Sequence, residues 1–224
     1  MTDRPILFSG PMVKAIIAGT KTQTRRLAKF ERRDDYTGNL MFSGIEANRL
    51  NDGVWALVSR GAGGCWNERT KYLHTYSPGD RLWVRETWGA RGDGVWTIAD
   101  ARMHHDRIVY AADGGDGPWW PSIFMPREFS RLTLTVTDVR VQRLQDIPPS
   151  DVEAEGIGIP FHHRGSLHDP HRWKHDHFRP LWDSINGKRP GATWADNPWI
   201  VAVTFKPELR NIDDEPARQA EEAA

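Results

Sequence analysis

One strand-like stretch constrains the fold more than any other part of the chain. In RLTLTVTDVRVQRL, residues 131–144, Leu132, Leu134 and Val136 share one parity, whereas Val139 and Val141 have the opposite parity. Side chains alternate between the two faces of a strand, so a bulge near Thr137 and Asp138 would return the apolar residues to one face. The pattern therefore predicts a long, bent strand of the kind found in small, curled barrels.

Shorter elements surround this strand. We expect a helix over residues 9–19, a short helix with a Ser150/Glu153 capping box and a Gly156 stop, and an amphipathic helix over residues 178–186. Further strands are predicted in RLWVRETW, DRIVYAAD and PWIVAVTFK. Regular alternation of strands with long helices is missing, which favours an α+β fold. The predicted core residues are Leu132, Leu134, Val136, Val201, Val203 and Phe205.

Composition limits the function classes. The 224 residues carry 30 basic and 30 acidic side chains, which argues against a protein that coats nucleic acid by bulk charge. Residues 207–224 are polar and acidic, so we predict a single domain over residues 1–206 followed by a disordered tail. Residues 1–206 keep 28 basic and 24 acidic residues, enough for a local basic patch. The single cysteine and the lack of a leader or a long apolar run predict a cytoplasmic protein without a membrane span.

The stretch AIIAGTKTQTRRLAKF, residues 15–30, contains the most reactive combination of side chains. A threonine hydroxyl such as that of Thr24 becomes a nucleophile only when a base removes its proton. A lysine serves as that base only where burial or neighbouring cations lower its pKa. Lys21 is close in sequence, and Arg25 and Arg26 supply cations. By spacing alone, however, this stretch is better explained as a surface loop.

For three other groups of residues, a structural explanation stands beside the functional one. Trp119 and Trp120 lie between glycines and prolines and could stack on a base, although tryptophans usually pack in cores or loops. Six of the nine histidines lie in residues 161–178, where we expect solvated loop residues and no metal site. The basic run Arg25, Arg26, Lys29, Arg32 and Arg33 could bind phosphate or simply solvate a loop.

Four stretches, taken together and in order, resemble a known family. PILFSGPMVKAIIAGTKTQTRR, SPGDRLWVRETW, DVEAEGI and WIVAVTFK are similar to the ASCH domain, a relative of the PUA fold, and especially to its longer phage-encoded members. The G-x-K-T-x-T-x-R pattern is met by Gly19, Lys21, Thr22, Thr24 and Arg26. The resemblance covers residues 5–206 and implies a PUA-like small β-barrel with flanking short helices. It also implies long loop insertions at about residues 34–76, 90–130 and 158–175.

The resemblance further implies an activity. Small bacterial members include an N4-acetylcytidine amidohydrolase that uses a lysine, a threonine and a glutamate, which correspond here to Lys21, Thr24 and Glu155. Lys21 would deprotonate Thr24, Thr24 would attack the N-acyl carbonyl, and Glu155 would orient Lys21 or the leaving amine. Arg26 would stabilise the oxygen that becomes anionic. Glu86 is a second carboxylate that could face the same cavity or form a structural ion pair.

Two alternatives use the same residues without amide hydrolysis. In a non-catalytic RNA-binding module, Arg25 and Arg26 would hold a phosphate of single-stranded RNA while Trp119 or Trp120 stacks on a base. In a phage-encoded ribonuclease, Lys21 and Arg26 would stabilise the phosphorane-like state. The expected partner is a modified nucleoside or single-stranded RNA, with no cofactor. The location is the host cytoplasm if a phage encodes the protein, and the oligomeric state is left open.

Overall fold

The computed structural model describes residues 2–30, 45–50, 54–60, 66–73, 76–92, 97–157 and 174–214. The strands of this part are β1 (Asp3–Leu7), β2 (Gln23–Leu27), β3 (Ile45–Arg49), β4 (Trp55–Arg60), β5 (Trp66–Lys71), β6 (Arg81–Arg85), β7 (Trp88–Ala90), β8 (Ile108–Tyr110), β9 (Thr133–Arg143) and β10 (Trp199–Glu208). The α-helices are α1 (Gly10–Ile17), α2 (Ile98–Met103), α3 (Pro149–Ala154) and α4 (Arg179–Asn186). This is an α+β fold, as predicted. None of the described helices combines the length and apolarity that a membrane span requires.

The chain divides into two compact units. The first is drawn from Met1–Thr22, Pro78–Thr137 and Phe205–Ala224, and the second from Gln23–Ser77 and Asp138–Thr204. In the first, β1 pairs in parallel with β6, β6 pairs antiparallel with the start of β9, and β7 pairs with β8. In the second, β2 pairs antiparallel with β10, and β3, β4 and β5 form an antiparallel sheet. The predicted single domain over residues 1–206 stays a prediction.

By backbone pairing, the strands form sheets of five, three and two strands, and the order of the largest is β1-β6-β9-β10-β2. No closed barrel is found among the described strands. The segment predicted to be a loop insertion at residues 34–76 contains the whole β3-β4-β5 sheet. Its strands were missed because β3 and β5 are rich in polar residues and show little alternation.

The parity switch in β9 is confirmed by burial. Leu134 and Val136 are buried, Thr137 is exposed, and Val139 and Val141 are buried again. The switch coincides with the boundary between the units, since residues up to Thr137 belong to the first and the rest to the second. The predicted bulge near Thr137 and Asp138 stays a prediction. All six predicted core residues are buried.

Strand β10 is buried without a break from Trp199 to Val203. Apolar residues before and within α3, at α4 and in the loop before β10 pack with two residues of the strand. This cluster consists of Leu144, Ile147, Val152, Phe178, Trp182, Trp194, Ile200 and Ala202. The arrangement fixes α3 relative to β10 and its neighbour β2, which is where the candidate site begins.

Glycines end two helices as predicted. After α1, Gly19 has φ +71°, and after α3, Gly156 has φ +80°, a region that side-chain-bearing residues rarely occupy. The predicted Ser150/Glu153 capping box is wrong. Pro148 is the N-cap of α3, and no side chain caps that helix. With two prolines fixing the backbone at the helix start, the first turn forms without a side-chain acceptor.

The prediction of disorder from residue 207 is wrong for residues 207–214. Ile212 is buried, and its carbonyl accepts a hydrogen bond from Arg81 at 3.1 Å. The amide of Asn211 donates to the carbonyl of Ser130 at 2.7 Å, and Asp213 pairs with Arg127. One buried isoleucine, these hydrogen bonds and the ion pair hold the segment in place, which its polar composition did not predict. Residues 215–224 lie outside the described residues.

Candidate functional site

The K-T-x-T-R stretch is buried rather than solvated. Lys21 and Thr24 are each 1% exposed and Arg25 is 3% exposed, so water does not surround their polar groups. The simpler explanation as a surface loop is therefore wrong. Buried polar side chains are tolerated when other groups satisfy them, so their partners determine what this stretch can do.

Arg25 joins β2 to α3 through two carboxylates. Its Nη1 donates to Oε1 of Glu155 at 3.0 Å, and its Nη2 donates to Oδ2 of Asp151 at 2.6 Å. Asp151 also accepts from Arg140 at 2.9 Å, and the Arg25 guanidinium lies 5.9 Å from the centroid of the Phe178 ring. The buried guanidinium of Arg25 and two carboxylates thus compensate one another, and the half-buried Arg140 links this group to Asp138 at 3.3 Å. Arg25 is bound to these carboxylates and is not accessible to a phosphate.

Sequence reasoning missed Asp151 and Arg140. A signal for Asp151 was present, because Asp151 and Glu155 are four residues apart and therefore share a helix face at α3. One guanidinium can bridge two carboxylates spaced in this way. No comparable local signal marks Arg140, whose link to Asp151 depends on how β9 packs.

Thr24 has a cationic hydrogen-bond donor. Nη1 of Arg26 donates to Oγ1 of Thr24 at 3.1 Å and to the backbone carbonyl of Arg25 at 3.2 Å. Thr24 and Arg26 are two residues apart on β2 and so share the face opposite to that of Arg25. A guanidinium donor favours negative charge on the hydroxyl oxygen. Arg26 thus lies at the Thr24 hydroxyl, whereas the sequence suggested that it would stabilise a substrate oxygen.

Lys21 belongs to the first unit. Its backbone N–H donates to the carbonyl of Ala15 at 3.0 Å, which closes the turn after α1 and Gly19. Its ammonium nitrogen lies 5.8 Å from the centroid of the Phe8 ring. Burial against an aromatic ring is an uncommon setting for a lysine, whose head group normally reaches water.

Glu86 is held in a structural ion pair within the first unit. Its two carboxylate oxygens accept from Arg131 at 2.9 and 3.0 Å, and Arg131 also binds Asp113 at 2.8 Å. Burial raises the pKa of Glu86 above its ordinary value, although the pairing with Arg131 lowers it in part. The Arg131 guanidinium lies 3.9 Å from the centroid of the Tyr110 ring, and burial raises the pKa of that tyrosine to about 12. These contacts match the ion-pair alternative given for Glu86.

The two neighbouring tryptophans are placed differently. Trp120 pairs through its backbone with Trp88, and the two rings meet edge to face with centroids 4.4 Å apart. Trp120 thereby packs on the apolar cluster of the first unit. Trp119 is half-buried beside Gly89 and Gly117, where an added Cβ would lie 3.3 to 3.4 Å from its ring. Stacking of either ring on a base stays a prediction.

The described residues contain no group of three histidine, cysteine, aspartate or glutamate side chains that could hold a metal ion. Four of the six clustered histidines, those at 162, 163, 168 and 171, lie outside the described residues. His175 is described, and its ring contacts that of Trp194 with centroids 5.6 Å apart.

Comparison of the chain with protein-family models, curated proteins and solved structures finds no match. The site must therefore be interpreted from its own geometry. In the second unit, β2 and α3 bring Glu155 to Arg25, and β2 brings Arg26 to Thr24. The convergence of Lys21 with Thr24 and Glu155 in one cleft stays a prediction.

Proposed function

We propose that the protein is an ASCH-type, PUA-like hydrolase that removes the acyl group from an N4-acylated cytidine, with Thr24 as the nucleophile. The observation that carries the proposal is the buried Thr24 hydroxyl with the Arg26 guanidinium as its donor. A threonine placed only for packing does not require a cation at its oxygen. The same proposal includes a cytoplasmic location and the absence of a cofactor.

The proposed reaction begins with the transfer of the Thr24 hydroxyl proton to the neutral amine of Lys21. Lys21 and Thr24 are three residues apart, so their Cα atoms are separated by at most about 11 Å. Arg26 stabilises negative charge on Oγ1 as that oxygen attacks the acyl carbon. The C–N bond then breaks, and the exocyclic amine leaves with the proton held by Lys21. Water finally hydrolyses the acyl-threonine ester and releases the carboxylate.

In this scheme, Glu155 orients an amine and Arg25 holds Glu155 in place. The carboxylate of Glu155 is fixed by Arg25 at the end of α3, next to the strand that carries Thr24. A fixed carboxylate orients an amine better than a mobile one because less motion must be frozen at the moment of reaction. Arg25 is thus proposed as a positioning residue for Glu155 rather than as a phosphate ligand.

The RNA-binding and ribonuclease alternatives fit the cations less well. A guanidinium that binds a backbone phosphate must be accessible, whereas Arg25 is 3% exposed and bound to two carboxylates. Moving it to a phosphate would leave both carboxylates buried without their shared cation. Arg26 is half-buried and already donates to Thr24.

The test is deacylation of N4-acetylcytidine by the full chain, followed by separation of cytidine and acetate. Thr24→Val removes the hydroxyl with little change of shape, and Thr22→Val does the same two residues earlier on the chain. We expect Thr24→Val, Lys21→Met and Glu155→Gln to lose at least about a hundredfold in kcat/KM, and Thr22→Val to stay near wild type. Circular dichroism and melting temperature would show whether each variant folds.

Three outcomes would overturn the proposal. Turnover in folded Thr24→Val equal to that in Thr22→Val would exclude Thr24 as the nucleophile. Binding of single-stranded RNA without turnover of any N4-acylcytidine would favour the RNA-binding module. Cleavage of that RNA, lost in Lys21→Met, would favour the ribonuclease.

A further inference from the structure

The ion pairs around Arg25 extend beyond the residues that take part in the proposed reaction. Asp151 accepts hydrogen bonds from two arginines on the same oxygen, since Oδ2 lies 2.6 Å from Nη2 of Arg25 and 2.9 Å from Nη2 of Arg140. Nε of Arg140 lies 3.3 Å from the carboxylate of Asp138. Together with Glu155, these residues form a series of ion pairs with alternating charge within the second unit.

The spacing on α3 determines how Arg25 is shared. Asp151 lies in the first turn of α3 and Glu155 is its C-cap, so the two carboxylates are four residues apart and lie on one side of the helix. Nη1 of Arg25 donates to Glu155 at 3.0 Å, and Nη2 donates to Asp151 at 2.6 Å. A guanidinium frequently places two N–H donors on a single carboxylate instead. Asp151 and Glu155 therefore compete for the same two nitrogen atoms.

Arg140 weakens the attraction of Asp151 for Arg25. Because Oδ2 of Asp151 also accepts from Arg140, part of its negative charge is compensated from β9. Asp151 and Arg25 are both buried, so water would replace little of this compensation. Without Arg140, the cation that remains within 4.0 Å of Asp151 in the described part of the chain is Arg25. The arrangement with both Nη atoms on Asp151 would then become more favourable relative to the shared one.

We infer that Arg140 and Asp151 are positioning residues for Glu155. Arg140 binds Asp151 from a half-buried position on β9, and this leaves Nη1 of Arg25 for Glu155. The inference rests on the proposed function, because that function is what gives Glu155 a task in the reaction. The contact between Arg25 and Glu155 can nevertheless be followed without turnover, so a failure of the inference can be told from a failure of the hydrolase proposal.

The first measurement follows the Glu155 carboxylate itself. In a full chain labelled with ¹³C at the glutamate side-chain carboxyl carbons, the Glu155 signal is assigned by its loss in Glu155→Gln. We expect Arg140→Met to shift this signal, and the double variant Arg140→Met/Asp151→Asn to return it toward the wild-type position, because asparagine has no charge with which to compete for Arg25. Arg179→Met removes an exposed arginine of α4 that pairs with Asp183, outside this series, and should leave the signal unchanged.

The second measurement is deacylation of N4-acetylcytidine at a temperature at which circular dichroism shows every variant to be folded. We expect Arg140→Met to lower kcat about tenfold with little change in KM, since Glu155 acts on the reacting amine rather than on binding. Arg140→Lys, which keeps a cation beside Asp151, and the double variant should each recover most of this loss. Arg179→Met should stay within about twofold of wild type, as expected for an exposed charge.

A folded Arg140→Met variant that keeps both the Glu155 signal and kcat at the level of Arg179→Met would overturn the inference and leave Arg140 with a structural role alone. A double variant with a lower kcat than Arg140→Met would contradict competition for Arg25. If the wild type does not turn over N4-acetylcytidine but the Glu155 signal shifts and returns as expected, the hydrolase proposal fails and the positioning of Glu155 stands. Arg140 is half-buried, so we expect its variants to fold.

Discussion

Replacement of Arg25 by methionine would test the buried ion-pair network most directly. Arg25→Met keeps a long apolar side chain beside Phe178 but removes the cation that Glu155 and Asp151 share. Asp151 retains its bond to Arg140. A buried carboxylate that loses its cation is strongly destabilising because the desolvation cost remains while the attraction is gone.

The burial of this ion pair determines the expected loss of unfolding free energy. The side chains of Arg25 and Glu155 are 1% and 5% exposed, so solvent screens their interaction little. Breaking one buried pair of this kind typically lowers the free energy of unfolding by about 3–5 kcal/mol. For a chain of this length, that corresponds to a fall in melting temperature of roughly 6–20 °C.

Urea denaturation followed by circular dichroism would measure the change, with Arg26→Met as the matched control. Arg26 is the next residue of β2, and its guanidinium donates to one hydroxyl and one carbonyl, so we expect a loss of about 1 kcal/mol. The deficit of Arg25→Met should shrink in the double variant with Glu155→Gln, which removes one of the two negative charges that Arg25 binds. Equal losses for the two single variants would refute the reasoning.

Three further predictions follow from the first unit. Burial raises the pKa of Glu86, so the contribution of this residue to the free energy of unfolding is present below pH 4.5 and is lost as the pH rises through the higher folded pKa. Denaturation measured from pH 4 to 7 should show this dependence for the wild type and not for Glu86→Gln. Truncation after Lys206 should cost at least about 2 kcal/mol of unfolding free energy, and truncation after Asp214 much less, since a buried isoleucine lies between the two positions. Gly89→Ala should lower the melting temperature, because an added Cβ would lie 2.7 Å from a backbone carbonyl oxygen, whereas Gly10→Ala meets nothing within 4 Å and should be neutral.

The sequence predicted those features that depend on local periodicity or on backbone conformation. The alternation of apolar residues at positions 132–136 and in β10 identified six buried residues correctly, because apolar residues at every second position of a strand mark a face that packs on an interior. Gly19 and Gly156 were recognised as helix stops because few residues other than glycine adopt positive φ. These signals lie within a few residues of the feature that they predict.

The features that could not be predicted depend on partners far apart in the chain. Arg25 binds carboxylates 126 and 130 residues away, and no local sequence pattern predicts such a pairing. Burial on α4 also departs from the amphipathic pattern predicted for residues 178–186, since Ile185 is 52% exposed whereas Asn186 is buried and donates to the carbonyl of Trp182. Tertiary packing determines which face of α4 is buried, and Asn186 can be buried because a backbone carbonyl accepts its hydrogen bond.

The two faces of β2 carry different contacts, so variants on the two faces are expected to differ in their effects on stability and on turnover. Arg25, on one face, binds carboxylates of the interior, while Thr24 and Arg26 share the other face. If Thr24 were only a packing residue, Thr24→Val would leave every activity intact, because valine preserves its shape and Arg26 keeps its bond to the carbonyl of Arg25. If Thr24 is the nucleophile, the same variant stays folded and loses turnover, whereas Arg25→Met loses stability first. A loss of turnover that tracks melting temperature across both variants would therefore argue for a structural role of the whole stretch.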